Sequence, residues 1–280
     1  MDEITGIVWL LLTHNAGETT EKQITTKTAG VRTVWLSHSA DDGKTWAAPV
    51  NITGSAKDPS WAWYATGPGI GIQIRHGVQK GRLVVPCDYS FGARINVASE
   101  PGAGAASHVI YSDDHGETWK IGGSVQPNMN ECQVVEIADD NGTLLLNMRN
   151  YAKGDYRAQS LSFDGGTSWT KPERHPELAE PRCQASILRY NWPRATELGR
   201  ILFSNPASTR RLNMTVRVSR DDGKTWPFSR TIHPGASAYS CLAMLPDKEI
   251  GCLFERGDKN AYERITFARF PISWLETKEQ

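Results

Sequence analysis

One eight-residue pattern, Ser-x-Asp-x-Gly-x-x-Trp, occurs four times in this chain and constrains its fold more than any other feature. The copies begin at Ser39, Ser112, Ser162 and Ser219. An Asp carboxylate can accept backbone N–H bonds across a turn, and Gly allows a positive φ there. The Trp can then return to the sheet and pack on the hairpin. Each copy is therefore interpreted as a tight β-hairpin, and its acid and aromatic as scaffold, because four separate hairpins cannot all meet one substrate.

The placement of these hairpins predicts the architecture. Their tryptophans are 73, 50 and 57 residues apart, and short apolar runs such as Val31–Leu36 and Met214–Val218 precede them. Short strands with loops of variable length are typical of β-propeller blades. Pro and Gly interrupt nearly every window, which argues against long amphipathic helices. We predict an all-β propeller that forms a single domain over residues 1–280.

Composition limits the partners. Lys plus Arg and Asp plus Glu each number 31, so there is no basic excess to favour nucleic acid or an anionic membrane. The apolar stretch Ile7–Leu12 is too short to span a bilayer and has no basic region before it, so it predicts a buried strand rather than a signal peptide or membrane span. These features do not assign a compartment.

The sequence patterns of several kinds of catalytic site do not occur in this chain. The 5 cysteines are odd in number, and none forms a Cys-x-x-Cys pair, which favours reduced thiols in strand cores over a disulfide scaffold. The histidines show no His-x-x-x-His spacing, and Gly-x-Ser-x-Gly does not occur. Gly67, Gly69 and Gly71 lack the dinucleotide spacing and a following helix. We predict no metal and no cofactor.

The four repeats resemble the Asp-boxes (BNR repeats) of the sialidase (neuraminidase) superfamily. The resemblance covers nearly the whole chain and is to bacterial and lysosomal-type members. It rests on further segments that occur in the family order: Asn130–Gln133, Asn141–Asn150, Phe203–Pro206, Arg211–Thr215, His233–Ser240 and Leu253–Gly257. It implies a six-bladed sialidase-type propeller and a retaining exo-α-sialidase that removes terminal sialic acid from glycans, glycoproteins or glycolipids.

The resemblance also implies a role for each site residue. Sialic acid carries a carboxylate, which the planar forks of Arg149 and Arg211 would bind. A carboxylate nucleophile would be repelled by that group, and sialidases are a known exception among glycosidases in using Tyr. Tyr239 matches this nucleophile, Glu131 the base that takes its proton, and Glu255 the acid that supports an arginine of the clamp.

The segment Trp61–Gly69 resembles a strand of bacterial members. Trp63, Tyr64 and Thr66 are candidates to line the pocket for the N-acetyl or glycerol arm of the sugar. The alternative interpretation, packing at the centre of a blade, is left open by the sequence.

One part of the family pattern does not occur in this sequence. Sialidases carry a Phe-Arg-Ile-Pro strand with a first arginine, and then a strand with an Asp that acts as acid and base. Here Asp2–Gly6 resembles the turn just after that Asp, which predicts an incomplete first blade and poor hydrolysis. The alternative function is a catalytically impaired propeller that binds sialylated glycans or serves as a scaffold.

Overall fold

The protein is described by a computed structural model that covers residues 1–91, 104–152 and 154–277. The chain is 48% strand and 5% helix, which confirms the all-β class. It divides into two compact units: unit 1 is Met1–Leu145 with Ser160–Pro172, and unit 2 is Leu146–Gln159 with Glu173–Gln280. The single domain over residues 1–280 stays a prediction.

The first part of unit 1 is a three-stranded antiparallel sheet in the order β1-β2-β3, with two short helices beside it. These elements are β1 (Val8–His14), α1 (Glu21–Thr25), β2 (Thr33–Ser39), β3 (Val50–Asn51) and α2 (Thr53–Ala56). The apolar stretch that predicts a strand at Ile7–Leu12 is confirmed as β1. Its predicted burial is wrong, because Leu10 and Leu12 are 38% and 37% exposed. β1 lies at the edge of its sheet, where alternate side chains face solvent.

The second sheet of unit 1 has the order β4-β6-β7-β8, and β5 also pairs with β6. Its strands are β4 (Tyr64–Thr66), β5 (Ile72–Gln73), β6 (Leu83–Ser90), β7 (Ala105–Ser112) and β8 (Lys120–Val125), and β9 (Met129–Glu136) follows. The core packs aromatic and aliphatic residues from both sheets, among them Val34, Tyr64, Tyr89, Ile110 and Trp119. This packing is expected for inward faces of antiparallel sheets.

Unit 2 begins within β10 (Leu144–Asn150) and continues through β11 (Tyr156–Ser162) and β12 (Glu173–Ala179), which neighbour each other in the order β12-β11-β10. A six-stranded antiparallel sheet and a short helix complete it: β13 (Ser186–Asn191), β14 (Arg200–Pro206), β15 (Leu212–Ser219), β16 (Phe228–Met244), β17 (Ile250–Gly257), β18 (Arg264–Phe270) and α3 (Ile272–Glu276). β16 has 17 residues, and different parts of it pair with β15 and β17. Leu202, Val216, Leu242 and Phe254 form the core of this sheet.

The four repeats are hairpins, as the sequence predicts. In the first copy, Oγ of Ser39 donates to Asp41 at 2.8 Å and accepts from the N–H of Gly43 at 2.9 Å. The second oxygen of Asp41 accepts the Thr45 hydroxyl at 2.6 Å, and the Trp46 indole donates to the Gly43 carbonyl at 3.1 Å. Gly43 has a φ of 82°. Hydrogen bonds from Thr45 and Ser39 lower the pKa of Asp41 to about 2, so the carboxylate is a permanent acceptor.

Antiparallel meanders of this kind are propeller-like blades. The described residues form four sheets, so the six blades of the sequence-based expectation, and the incomplete first one, stay predictions. All five cysteines are free, and four of them are buried. Within the described ranges, none of the helices is long and apolar enough to cross a membrane.

Candidate active site

Tyr239 lies in a β-bulge of unit 2. The register between β16 and β17 shifts between Ser237 and Ser240, so that two residues of β16 oppose Glu255 alone. The backbone N–H of Tyr239 donates to Oε2 of Glu255 at 3.0 Å, so a carboxylate replaces the usual strand carbonyl as acceptor. Bulges bend a strand and redirect its side chains, often beside active sites. The local structure thus gives Tyr239 a position that regular pairing would not.

Arg149 reaches the hydroxyl of this tyrosine from β10. Its Nη1 donates to the Tyr239 oxygen at 3.4 Å, which is a long and therefore weak hydrogen bond. Its guanidinium carbon lies 4.9 Å from the ring centroid of Tyr151, two residues further along the chain. The cation–π contact helps to hold the guanidinium at Tyr239.

Arg211 lies beside the same ring. Its backbone carbonyl accepts the N–H of Ser237 at 2.9 Å, which fixes it against the strand that carries Tyr239. The guanidinium carbon is 5.7 Å from the Tyr239 ring centroid. Nη1 donates to the hydroxyl of Tyr262, and Nη2 donates to the carbonyl of Arg182 at 3.4 Å. Two guanidinium groups therefore flank one phenol.

A buried ion pair holds the strand that carries Arg149. Arg157 and Glu180 are both fully buried and are joined by a bond of 2.8 Å from Nη1 to Oε2. Nε of Arg157 donates to the Asn147 amide oxygen, and Oε1 of Glu180 accepts the N–H of Asn150, each at 2.7 Å. Burial raises the pKa of Glu180 although Arg157 acts to lower it. These bonds fix β10 on both sides of Arg149.

The structure thus brings together four of the predicted residues in unit 2: Arg149, Arg211, Tyr239 and Glu255. The described hydrogen bond of Glu255 goes to the Tyr239 backbone, so its predicted support of an arginine stays a prediction.

Glu131 belongs to unit 1, where it is half-buried on β9. The residues on either side of Glu131 hold the strand in place. The Asn130 amide donates to Oδ2 of Asp88 at 2.9 Å, and the Cys132 thiol donates to the carbonyl of Cys87 at 3.3 Å. The pairing of Glu131 with Tyr239 stays a prediction.

The three candidate pocket residues have different surroundings in unit 1. Tyr64 is fully buried, and its hydroxyl donates to the Ala56 carbonyl at 2.9 Å, so the structure favours the packing alternative for it. Trp63 is half-buried and lies under the Arg32 guanidinium, with 3.9 Å from the guanidinium carbon to the ring centroid. Thr66 lines a cavity of about 270 Å³ beside β1.

Asp2 is excluded as a proton donor by its environment. It is fully buried in unit 1. Its carboxylate accepts bonds from the N–H of Ile4 at 2.9 Å, the Gln73 amide at 2.8 Å and the Thr5 hydroxyl at 2.9 Å. Burial by itself would raise the pKa of Asp2, but these bonds and one with His115 lower it to about 2. At neutral pH the carboxyl is ionised, so Asp2 is a structural anchor.

Sequence reasoning missed the two tyrosines that hold the arginines, Tyr151 and Tyr262. Tyr151 had only a weak signal, its position two residues after Arg149 and just beyond the end of β10. Tyr262 is 51 residues from Arg211 and gave no signal. The described residues contain no group of three or more His, Cys, Asp or Glu able to hold a metal ion.

Comparison with known families defines the class. The model of the BNR repeat-like domain matches residues 2–252. The sialidase of Micromonospora viridifaciens is 38% identical over 86% of this chain, and sialidase-3 of Mus musculus is 31% identical over 95% of it. The chain is thus a BNR-repeat protein. Within that class it belongs to the sialidase family.

Solved structures agree with this assignment. The Hadza microbial sialidase Hz136 superposes with a TM-score of 0.80 and 33% identity over 98% of this chain. The intramolecular trans-sialidase of Ruminococcus gnavus gives 0.73 and 27% over 89%. The chain covers 73% of the mouse protein but only 35% of the Micromonospora one and 52% of each of these two structures. It therefore spans about half or less of several of its relatives.

Proposed function

We propose that this chain is exo-α-sialidase-like and removes terminal sialic acid from glycans, glycoproteins or glycolipids with retention of configuration, at the low rate that the sequence predicts. The observation that carries the proposal is the flanking of one phenol by two guanidinium groups, with Arg149 bonded to the Tyr239 hydroxyl at 3.4 Å and Arg211 beside the ring. Membership of the sialidase family supports it. We propose in addition that residues 1–280 act as a single domain.

The two arginines would bind the substrate carboxylate. A guanidinium presents a planar fork that matches a carboxylate and keeps its charge at every accessible pH. The described hydrogen bonds of the two guanidinium groups go to the hydroxyls of Tyr239 and Tyr262 and to the backbone carbonyl of Arg182. A substrate carboxylate would add a charged acceptor, and charge-assisted bonds are about twice as strong as neutral bonds.

Tyr239 would then act as nucleophile. Its oxygen attacks the anomeric carbon while Glu131 takes the phenolic proton; the bond from that carbon to the leaving oxygen breaks, and the leaving oxygen takes a proton from solvent. In the second step water attacks the same carbon and loses a proton to solvent, the bond from that carbon to the Tyr239 oxygen breaks, and the phenol recovers its proton from Glu131. The two guanidinium groups stabilise the negative charge that develops on the Tyr239 oxygen. Two displacements at one carbon retain the configuration.

The test is covalent labelling with 2,3-difluorosialic acid, followed by peptide mass spectrometry. Fluoride leaves without a proton, so the first step is measured independently of any acid. The expected result is an adduct on the peptide that contains Tyr239, which Tyr239→Phe abolishes. Tyr156→Phe, which removes a hydroxyl from an exposed tyrosine of β11, should label like the parent. An adduct on another residue, or equal labelling of Tyr239→Phe, would refute the nucleophile.

Labelling, combined with a measurement of glycan binding, separates a glycosidase from a glycan-binding module. If no adduct forms, but a sialylated glycan binds saturably and Arg149→Ala weakens that binding, the chain is a sialoglycan-binding module and not a glycosidase. If neither labelling nor binding occurs, the proposed function is wrong.

A further inference from the structure

Unit 1 contains a second cavity that the proposed activity does not use. It has a volume of about 290 Å³ and lies between the residues that follow α1 and the segment that precedes β4. Val31, Pro59 and Trp61 contribute apolar surface to its lining. Two cations, Lys27 and Lys57, also line it, and no carboxylate does so in the described part of the chain. A concave site that combines apolar surface with a few polar or charged groups is typical of a ligand site.

Two of the three N–H donors of the Lys57 ammonium group have described partners. Its side chain enters the protein interior, and the residue is only 8% exposed. Nζ donates to the carbonyl of Ala62 at 2.7 Å and to the carbonyl of Arg32 at 3.0 Å. An ammonium group has three N–H donors. These two bonds fix the direction of the third donor, and Lys57 lines the cavity.

Among the described residues, no carboxylate is paired with Lys57. Burial, together with the nearby cations Lys27 and Arg32, lowers the pKa of Lys57 to about 8. Glu21 and Asp88 act to raise the pKa of Arg32 against its burial, and Lys27 acts to lower the pKa of Asp58. An anion in the cavity would oppose both causes that disfavour the ammonium form of Lys57.

We propose that this cavity binds a small organic anion. The oxyanion head bonds to Lys57 with Lys27 beside it, and the apolar body packs on Trp61 and Val31. One face of the Trp61 ring is stacked on Tyr89, with centroids 3.6 Å apart, so the ring is rigid and provides a fixed surface. The site does not involve Arg149, Arg211 or Tyr239, so it does not depend on sialidase activity.

The test follows Lys57 itself in the full chain. Lysine labelled with ¹³C at Cε reports each ammonium group by NMR, and Lys57→Met identifies the signal of Lys57. Isobutyrate should raise the pKa of Lys57 from about 8 to about 9 or higher, because an opposite charge nearby favours the charged form. The neutral isostere isobutyramide should not change it. Isobutyrate should bind most tightly below pH 8 and weaken as Lys57 loses its proton.

Inorganic phosphate distinguishes the possible ligands. An equal response to phosphate and isobutyrate would identify a general oxyanion site, whereas a response to isobutyrate alone would identify a carboxylic acid with an apolar body. If neither anion changes the pKa of Lys57 at millimolar concentration, the proposal is wrong.

Variants provide a second measurement. Lys57→Met should weaken isobutyrate binding roughly 10–100-fold, the range expected for a lost charge-assisted hydrogen bond. If that variant does not fold, Lys27→Gln, which changes a lysine at the cavity, should still weaken binding several-fold. Lys80→Met, which changes an exposed lysine of unit 1, should leave binding unchanged. Equal affinity in Lys27→Gln and the parent chain would also contradict the proposed site.

Discussion

Replacing His108 with Phe should change how the stability of the protein depends on pH. His108 is fully buried on β7 among aromatic rings, with ring centroids 4.8 Å from Trp61, 5.4 Å from Tyr64 and 5.3 Å from Tyr89. Nδ1 lies 3.0 Å from the Val109 carbonyl, so this nitrogen carries the proton of the neutral ring. Nε2 is buried without a hydrogen-bond partner among the described residues. Protonation would place an unpaired charge in this core.

The magnitude follows from the pKa of His108. Burial lowers it from 6.5 to about 3, although the bond to Val109 acts to raise it. Below pH 6.5 the unfolded chain therefore binds a proton that the folded chain does not, and stability falls as the pH falls. Each pH unit between these two pKa values costs about 1.4 kcal/mol. At pH 5 the loss from His108 amounts to about 2 kcal/mol relative to neutral pH.

Urea denaturation followed by tryptophan fluorescence, at pH 5 and at pH 7.5, measures this effect. The free energy of unfolding of His108→Phe should decrease by about 2 kcal/mol less between the two pH values than that of the parent chain. His14→Phe replaces an exposed histidine and should keep the parent dependence. Carboxylates contribute equally to all three proteins and cancel in the comparison. An unchanged pH dependence in His108→Phe would refute the argument that a neutral imidazole is buried.

Two substitutions test the support of the fold. Arg157→Met leaves Glu180 buried without its cation and should lower the free energy of unfolding, measured by urea denaturation, by about 3–5 kcal/mol. Adding Glu180→Gln should recover part of this loss. A loss below about 1 kcal/mol for the single variant would contradict the buried pair. Gly116→Ala places a Cβ at a φ of +97° and 2.2 Å from the Trp9 ring, and should cost about 1–3 kcal/mol. Its control, Gly54→Ala, meets no atom within 4 Å in α2 and should be neutral or stabilising.

The sequence predicts the hairpins well because their contacts are local. In each repeat the Asp bonds to a Ser two residues before it, as Asp114 does with Ser112 at 2.8 Å. The Gly that the pattern requires has a positive φ, as at Gly116, and so does the residue before it, as at His115. Residues this close in sequence determine each other's conformation, so a short pattern is sufficient.

The site could not be predicted from residues alone in the same way. Arg149 and Tyr239 are 90 residues apart in the sequence. The β-bulge that positions Tyr239 shifts the strand register, and no local sequence pattern predicts that shift. Family resemblance, rather than spacing, pointed to them. Tyr64 shows the corresponding difficulty for single aromatics, because a strand tyrosine fits a pocket and a core equally well by composition. The full burial of Tyr64 and its bond to Ala56 favour the core.

Asp114 and Glu255 show how the contacts of a carboxylate distinguish a structural acid from a functional one. Both oxygens of Asp114 accept bonds within its own hairpin, from Ser112 and from the N–H and hydroxyl of Thr118. Burial would raise the pKa of Asp114, but these bonds lower it, so the carboxylate stays charged and satisfied through local contacts. Glu255 instead bonds across a bulge to the backbone of Tyr239. Its position therefore depends on long-range pairing, and it holds in place the residue that we propose as nucleophile.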